Sequence, residues 1–197
     1  MQGNFRQDLE KEKQLQRFLD IQYHTHLKQY SFKREKDRQL QLKGVDLWLM
    51  HKKKGTTFAI DEKAQLDYIN DDLPTFAFEL NYLKNNIPKK GWFLDSQKQT
   101  DFYALVTAIY QDEPNNYTSC KITMVNKRLL LRALYQLNID LSTIKRPTTH
   151  GMHLIKGLRP KTQGYLYLSK KNKWEQPLNL ILRLSYLEKL KVAKRLV

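Results

Sequence analysis

The segment GVDLWLMHKKKGTTFAIDEKAQ, residues 44–65, predicts a β-hairpin on which the rest of the fold is built. Two apolar runs flank a lysine-rich tip, a pattern that is typical of two strands and their turn. If the turn centres between Lys53 and Lys54, opposed residues have numbers that sum to 107, so Asp46 faces Asp61. Opposed side chains share a sheet face with Cβ atoms about 4.5 to 5.5 Å apart, so the hairpin predicts two carboxylates close enough to share a cation.

Side-chain alternation along the second strand adds a lysine to this pair. Asp61 and Lys63 project to one face of the strand, whereas Ile60 and Glu62 project to the other. Magnesium prefers oxygen ligands and usually keeps several waters, so two carboxylates and a backbone carbonyl suffice to hold it beside a phosphate. A lysine on the same face can orient an attacking water. The pattern therefore predicts a site for metal-assisted phosphate chemistry.

The same residues carry a family resemblance. Asp46, a fourteen-residue gap and then Asp-Glu-Lys at 61–63 resemble the motif of the PD-(D/E)XK nuclease superfamily. In that superfamily a helix leads, the first acid starts one core strand, and an acid-x-lysine triplet lies on the next strand. The resemblance covers about residues 10–110 at the level of element order. It implies an α/β, restriction-endonuclease-like fold with a central mixed β-sheet flanked by α-helices.

Carried onto this chain, the resemblance implies Asp46 and Asp61 as ligands of Mg²⁺ or Mn²⁺ and Lys63 as the catalytic lysine. Gln65 matches a glutamine that several relatives carry two positions after the lysine, so it joins the candidate catalytic residues. Two positions depart from the pattern: Val45 stands where the motif has proline, and Asp61 stands where many members have glutamate. Both variations are common enough to leave the resemblance standing.

Further carboxylates are candidates for an additional metal ligand. Glu10, Glu12 and Asp20 lie on the predicted opening helix, and such helices sometimes add an acid in relatives; Glu10 is the favoured one. Glu79, in the segment FAFEL, alternates with apolar residues and is the other candidate. A solvated surface acid is the alternative interpretation of each of these residues.

The charge of the chain indicates the class of partner. Lys and Arg number 35 against 20 Asp and Glu, which gives a formal net charge of +15 and favours a polyanion such as nucleic acid. No apolar run approaches the roughly 18 residues of a membrane span, and the polar N-terminal segment lacks the apolar centre of a signal peptide. We therefore expect a cytoplasmic protein that does not bind membranes. The single cysteine, Cys120, excludes an internal disulfide and a cysteine-based zinc cluster.

The remaining patterns predict one nuclease-like domain over residues 1–197, with a catalytic core at about 10–110 and a C-terminal strand and helix extension at about 120–197. Apolar spacing predicts a helix over 8–28, and Asn126 is placed to cap a second helix through KRLLLRALYQLN. Strands are predicted for LPTFAFELNYL, DFYALVTAIY, CKITMV and GYLYLS, with helix an alternative for the second of these. The closing segment PLNLILRLSYLEKLKVAKRLV predicts a helix, or a strand passing into one, and residues 144–162 predict a DNA-facing loop.

Together these observations predict a divalent-metal-dependent endonuclease that hydrolyses phosphodiester bonds in DNA, with RNA left open as a substrate. The alternative is a nucleic-acid-binding protein without catalysis, either a degenerate nuclease fold or an RNA-associated structural protein. A pure binder gains nothing from two carboxylates that face a phosphate, because they repel the polyanion unless a metal intervenes. A homodimer is a candidate assembly, since related folds often act as dimers.

Overall fold

A computed structural model describes the backbone of residues 2–170 and 175–197 and the side chains of residues 11–170 and 175–197. In chain order its elements are α1 (Gln2–His26), β1 (Tyr30–Arg34), α2 (Arg38–Leu42), β2 (Leu47–His51), β3 (Thr57–Ala64), β4 (Thr75–Lys84), β5 (Ile87–Lys90), β6 (Phe102–Glu113), β7 (Asn116–Asn126), α3 (Lys127–Gln136), β8 (Gly151–His153), β9 (Gly164–Leu168), β10 (Leu178–Arg183), α4 (Leu184–Lys189) and β11 (Ala193–Arg195).

The first sheet is mixed and has the strand order β1-β2-β3-β6-β7-β11. Strands β2 and β3 form the predicted antiparallel hairpin, and Leu47 pairs with Ile60, which is the predicted register. Strand β6 lies parallel to β3, with Asp61 opposite Tyr103, and the other neighbouring strands of this sheet are antiparallel. The sequence expectation of an α/β fold with a mixed sheet is therefore confirmed.

The two faces of the mixed sheet are covered differently. On one face α1 packs through Leu15, Leu19 and Tyr23 against the hairpin and against β6 and β7. On the other face lies a second, antiparallel sheet with the order β5-β4-β10-β9-β8, together with α3 and α4. Both faces are apolar, so alternate residues of β6 enter different cores: Tyr103 and Leu105 enter one, Ala104 and Val106 the other.

Helices lie on both faces of the mixed sheet, but a second sheet also covers one of them. Helix α1 covers one face, but the parallel connection from β3 to β6 runs through strands β4 and β5 of the second sheet and not through a helix. The physical reason is the period of the connecting segment, because the alternation of Phe76, Phe78 and Leu80 with half-buried residues suits a strand that packs on one side.

The local predictions meet mixed outcomes. Asn126 caps α3 as expected, since its side chain accepts a hydrogen bond from the backbone N–H of Leu129. The closing segment is a strand that passes into a helix, the second of the two predicted alternatives. The loop predicted over 144–162 contains the short strand β8, and the highly charged stretch 33–43 holds the end of β1 and all of α2. In the described part of the chain, no helix is both long enough and apolar enough to cross a bilayer.

Candidate active site

Asp46 and Asp61 form the centre of the candidate site, where β2 and β3 begin to diverge. The paired register ends at Leu47 and Ile60, and the backbone N–H of Asp46 donates to the carbonyl of Ile60 at 2.8 Å, so Asp46 still lies beside β3. The carboxylate of Asp46 accepts a hydrogen bond from the backbone N–H of Glu62 at 2.7 Å. Asp61 is only 1% exposed, so a carboxylate lies in the interior beside a second one.

The negative charge of Asp61 destabilises the charged form of Asp46. Burial and the negative charge of Asp61 raise the pKa of Asp46 to about 7, although the hydrogen bond from the Glu62 N–H and the charge of Lys63 oppose this shift. Within the described residues, Oδ2 of Asp61 is buried and has no hydrogen-bond partner. A buried anionic oxygen without a donor is unfavourable, so this position suits a cation.

Glycine at position 44 makes room for the Asp61 carboxylate. Gly44 has a φ of +74°, and a Cβ atom there would lie 2.5 Å from Oγ1 of Thr100 and 3.0 Å from Oδ2 of Asp61. Thr100 is itself buried and donates its hydroxyl to the Gly44 carbonyl at 2.9 Å. The turn that precedes Asp46 is thus fitted closely to the unpaired oxygen, and a larger side chain would displace it.

Lys63 completes the predicted set on the same face of β3. Its ammonium group is ion-paired with Oδ1 of Asp61 and lies 5.3 Å from the centroid of the Trp92 ring. Trp92 in turn packs against Tyr103, with ring centroids 5.0 Å apart. The lysine is about one quarter exposed, so its cation lies between the buried carboxylate and the surface. It can therefore reach a ligand that approaches from solvent.

Two further lysines, Lys98 and Lys127, lie near Asp61 and Lys63. Burial lowers the pKa of Lys127, the first residue of α3, against the opposing attraction of Asp61 and Asp95. The ammonium group of Lys98 donates to the carbonyl of Leu42 at 2.7 Å, and its chain passes close to Gly44. Both cations come from segments distant in sequence from the hairpin, and both are only half-buried. They add positive charge where an anionic ligand would meet the carboxylates.

The other predicted site residues are Gln65, Glu79 and Glu10. Gln65 donates its side-chain amide to the carbonyl of Thr75 at 2.9 Å and so ties the end of β3 to the start of β4. Glu79 lies on the face of β4 opposite to Phe78, the residue that packs in the core beside Tyr103. Glu10 is in α1, and its side chain lies outside the described residues. Among the side chains that are described, no three His, Cys, Asp or Glu residues form a group that could hold a metal.

The opposite face of β3 carries a different carboxylate. Glu62 accepts a hydrogen bond from the hydroxyl of Tyr23 at 2.7 Å and is ion-paired with Arg34. Arg34 also pairs with Asp20 of α1 at 2.7 Å. This network joins α1 and β1 to the hairpin, and each Glu62 oxygen has a donor. Asp20, a candidate for the extra metal ligand, is thereby engaged with Arg34.

Sequence reasoning missed Gly44, Thr100 and Lys127. The site predicted from the sequence contained only residues of the hairpin and its neighbourhood. Gly44 lies in the turn before β2, Thr100 lies just before β6, and Lys127 is the first residue of α3. Trp92 and Lys98 belong to KKGWFLDSQKQ, a basic and aromatic segment that is typical of phosphate contacts, and that was the available signal for them. No known protein family, curated protein or solved structure matches this chain.

Proposed function

We propose that the protein is a divalent-metal-dependent nuclease that hydrolyses phosphodiester bonds in DNA, with Mg²⁺ or Mn²⁺ held by Asp46 and Asp61. The observation that carries this proposal is the buried Oδ2 of Asp61, which has no partner among the described residues and lies beside a second carboxylate. Two buried like charges are costly unless a cation or a proton neutralises them. A metal ion bound between these two carboxylates would remove the repulsion between their charges.

The residues present fit a metal of this kind. Carboxylate oxygens are the ligands that Mg²⁺ prefers, and this ion keeps waters and takes substrate phosphate oxygens in its remaining positions. Two protein carboxylates therefore suffice, although no third His, Cys, Asp or Glu joins them in a ligand group among the described side chains. Metal binding must displace the proton that Asp46 holds below about pH 7, so affinity for the metal should rise with pH.

The roles of the protein groups follow from their positions. A bound ion would polarise the scissile phosphate and lower the pKa of a water. Lys63, ion-paired with Asp61 and partly exposed, would orient that water and stabilise the negative charge that develops on the phosphate. Lys98 and Lys127 would attract the phosphates on either side. Gln65 would act by positioning, through its hydrogen bond to the Thr75 carbonyl.

The restriction-endonuclease-like assignment remains part of the proposal. In its support, a helix leads, Asp46 directly precedes β2, and Asp61 and Lys63 lie on β3, with β6 parallel to β3. The connection through β4 and β5 departs from the expected helical flank. The net charge of +15 supports DNA as the partner.

A direct test measures cleavage of plasmid, single-stranded and branched DNA with Mg²⁺ or Mn²⁺, for the wild-type protein and for Asp61→Asn. We expect cleavage that depends on the metal and is lost in the variant. The matched control is Asp72→Asn, the same chemical change at a half-exposed carboxylate that is paired with Lys121. The nuclease proposal is wrong if the wild-type protein cuts none of these substrates with either metal, or if Asp61→Asn cuts as well as Asp72→Asn.

A further inference from the structure

A groove of about 810 Å³ lies on the face of the mixed sheet that carries α1, opposite to the face on which Asp61 lies. Its floor is apolar and is formed by Leu49, Phe58, Phe102, Met124, Leu129 and Leu196. Phe58 and Phe102 meet edge to face with centroids 5.3 Å apart, and both rings are half-buried, so each offers part of its surface to a ligand. This volume is within the range of pockets that hold a small planar ligand.

The rim of the groove is cationic. Its lining includes His26, Lys28, Lys191, Lys194 and Arg195, and none of the described lining residues is Asp or Glu. Arg195 forms a long ion pair with Glu188, at 3.7 Å. Lys194 pairs with Met124 of the neighbouring strand, and both residues line the groove. An apolar floor with a basic rim is complementary to a ligand that has a flat apolar part and negative charges beside it. A second copy of this chain fits poorly, because each copy carries a net charge of +15.

The groove adjoins the candidate active site around the ends of β6 and β7. Phe102 lines the groove, and Thr100, two residues earlier, contacts Gly44 beside Asp61. Asn126 lines the groove in the same way, and its neighbour Lys127 experiences the charge of Asp61. A short length of a DNA strand could therefore pass from one site to the other around the start of β6 and the end of β7.

We propose that this groove binds unpaired nucleotides of the DNA strand whose phosphate reaches Asp46 and Asp61. The bases stack against Phe58 and Phe102, and the phosphates contact Lys191 and Lys194. This inference rests on the proposed nuclease function and specifies its substrate class: DNA with a single-stranded segment beside the scissile bond, such as a frayed end, a flap or a junction arm. Aromatic stacking accepts any base, so the groove selects for strand structure and not for sequence.

The first experiment compares affinities, with EDTA present so that no cleavage occurs. Fluorescence anisotropy gives the Kd for a labelled single strand of about 16 nucleotides and for the blunt duplex of the same sequence. The groove variant is Leu129→Glu/Lys194→Glu, at two exposed positions of the lining. The control is Tyr135→Glu/Lys89→Glu, which makes the same charge change at exposed positions outside the lining.

We expect the groove variant to bind the single strand about tenfold more weakly than the control variant does, with a much smaller difference on the duplex. Equal losses on both DNAs, or no loss beyond that of the control, would overturn the inference. An association of the wild-type protein with itself that disappears only in the groove variant, measured by sedimentation, would also overturn it, because the groove would then be a protein interface.

The second experiment locates the base. A single strand that contains 5-iododeoxyuridine is irradiated with the protein, and the crosslinked peptide is identified by mass spectrometry. Crosslinks at Phe58 or Phe102 that are lost in the groove variant support the inference, whereas a crosslink at Trp92 alone places the base on the other face and overturns it. Cleavage tests separate the two proposals. Metal-dependent cutting without groove crosslinks leaves only the nuclease, and groove crosslinks without cutting leave only the binding site.

Discussion

Asp61 and Glu62 are neighbours on β3 whose carboxylates lie in opposite environments. Glu62 faces α1, where Tyr23 and Arg34 donate to its oxygens. Asp61 faces the second sheet, where one oxygen is paired with Lys63 and the other has no partner among the described residues. The first carboxylate therefore stabilises the fold, while the second sits beside Asp46 at a cost to stability. The difference supports the proposal that the Asp61 face of the strand binds the metal.

The same comparison applies to the cations of the two faces. Arg34 lies between Glu62 and Asp20 and forms an ion pair with each of these carboxylates. Lys63 is paired with Asp61 and, among the described residues, with no other carboxylate, and its side chain is about one quarter exposed. Because three donors of a lysine can point in different directions, this group can contact Asp61 and a phosphate at once.

The largest expected effect separates the neighbouring acids by activity. Asp61→Asn should slow metal-dependent DNA cleavage by about 10³-fold or more, because the amide keeps the shape but not the charge that holds the metal. Glu62→Gln, the same change one residue away, should reduce the rate per folded molecule by less than about tenfold. Single-turnover cleavage, corrected for the folded fraction by circular dichroism, measures both. Equal losses in the two variants would remove the functional distinction between the faces.

The second expected effect concerns Lys63. Lys63→Met keeps the apolar stem against Trp92 and removes the ammonium group, so cleavage should fall by about 10²-fold through loss of water orientation and charge stabilisation. Binding of Mg²⁺ should persist, as measured by titration calorimetry. Lys63→Arg serves as the control for charge alone. A variant that lost metal binding as completely as Asp61→Asn would show that the lysine acts only by holding that carboxylate.

The hairpin could be predicted because its information is local. A lysine-rich tip between two apolar runs fixes the turn, and side-chain alternation then determines which residues share a face. The burial of Asp61 could not be predicted in this way, since it depends on Thr100 and on the turn at Gly44. Strand β1 was missed because its residues are adjacent to a strongly charged stretch, although Arg34 in it is the partner of Glu62.

The second sheet was hidden for a related reason. The strands in LPTFAFELNYL and GYLYLS were predicted, but an alternating pattern does not reveal which sheet a strand joins. Strand β4 pairs with β10, whose residues are about a hundred positions away in the chain. Which distant strands pair depends on tertiary packing, and the local sequence pattern does not show it. The approach of Lys127 to Asp61 depends on the same long-range packing, so that residue carried no signal in the sequence.

The third expected effect is on stability and tests the face of β3 on which Glu62 is paired with Arg34. Arg34→Met should lower the free energy of unfolding by about 2 kcal/mol, because it leaves the carboxylate of Glu62 without its cation. The melting temperature should fall by about 4 to 8 °C, as measured by calorimetry in EDTA. Lys121→Met is the control, since it breaks the more exposed pair with Asp72 and should cost less than about 1 kcal/mol. A larger loss in the control would contradict the role given to the Glu62 network.

The smallest expected effect has the opposite sign and comes from Asp46. Its pKa is about 7 in the folded protein and near 4 in an unfolded chain, so the folded state binds more protons between these values. Stability contributed by this group is therefore fully present below about pH 4 and is lost as the pH rises through about 7. Asp46→Asn removes the charge and keeps an oxygen that can accept the hydrogen bond from the Glu62 N–H.

We accordingly expect Asp46→Asn to raise the melting temperature in EDTA at about pH 8, by an amount that corresponds to about 1 kcal/mol, and to have no such effect at about pH 4. Asp72→Asn, at an exposed carboxylate, should show no comparable gain. Saturating Mg²⁺ should reverse the order at pH 8, because the ion stabilises only the protein that binds it. A gain that is independent of pH, or absent at pH 8, would show that Asp46 is not held against Asp61. The two faces of β3 would then differ in solvation and not in their readiness to bind a metal.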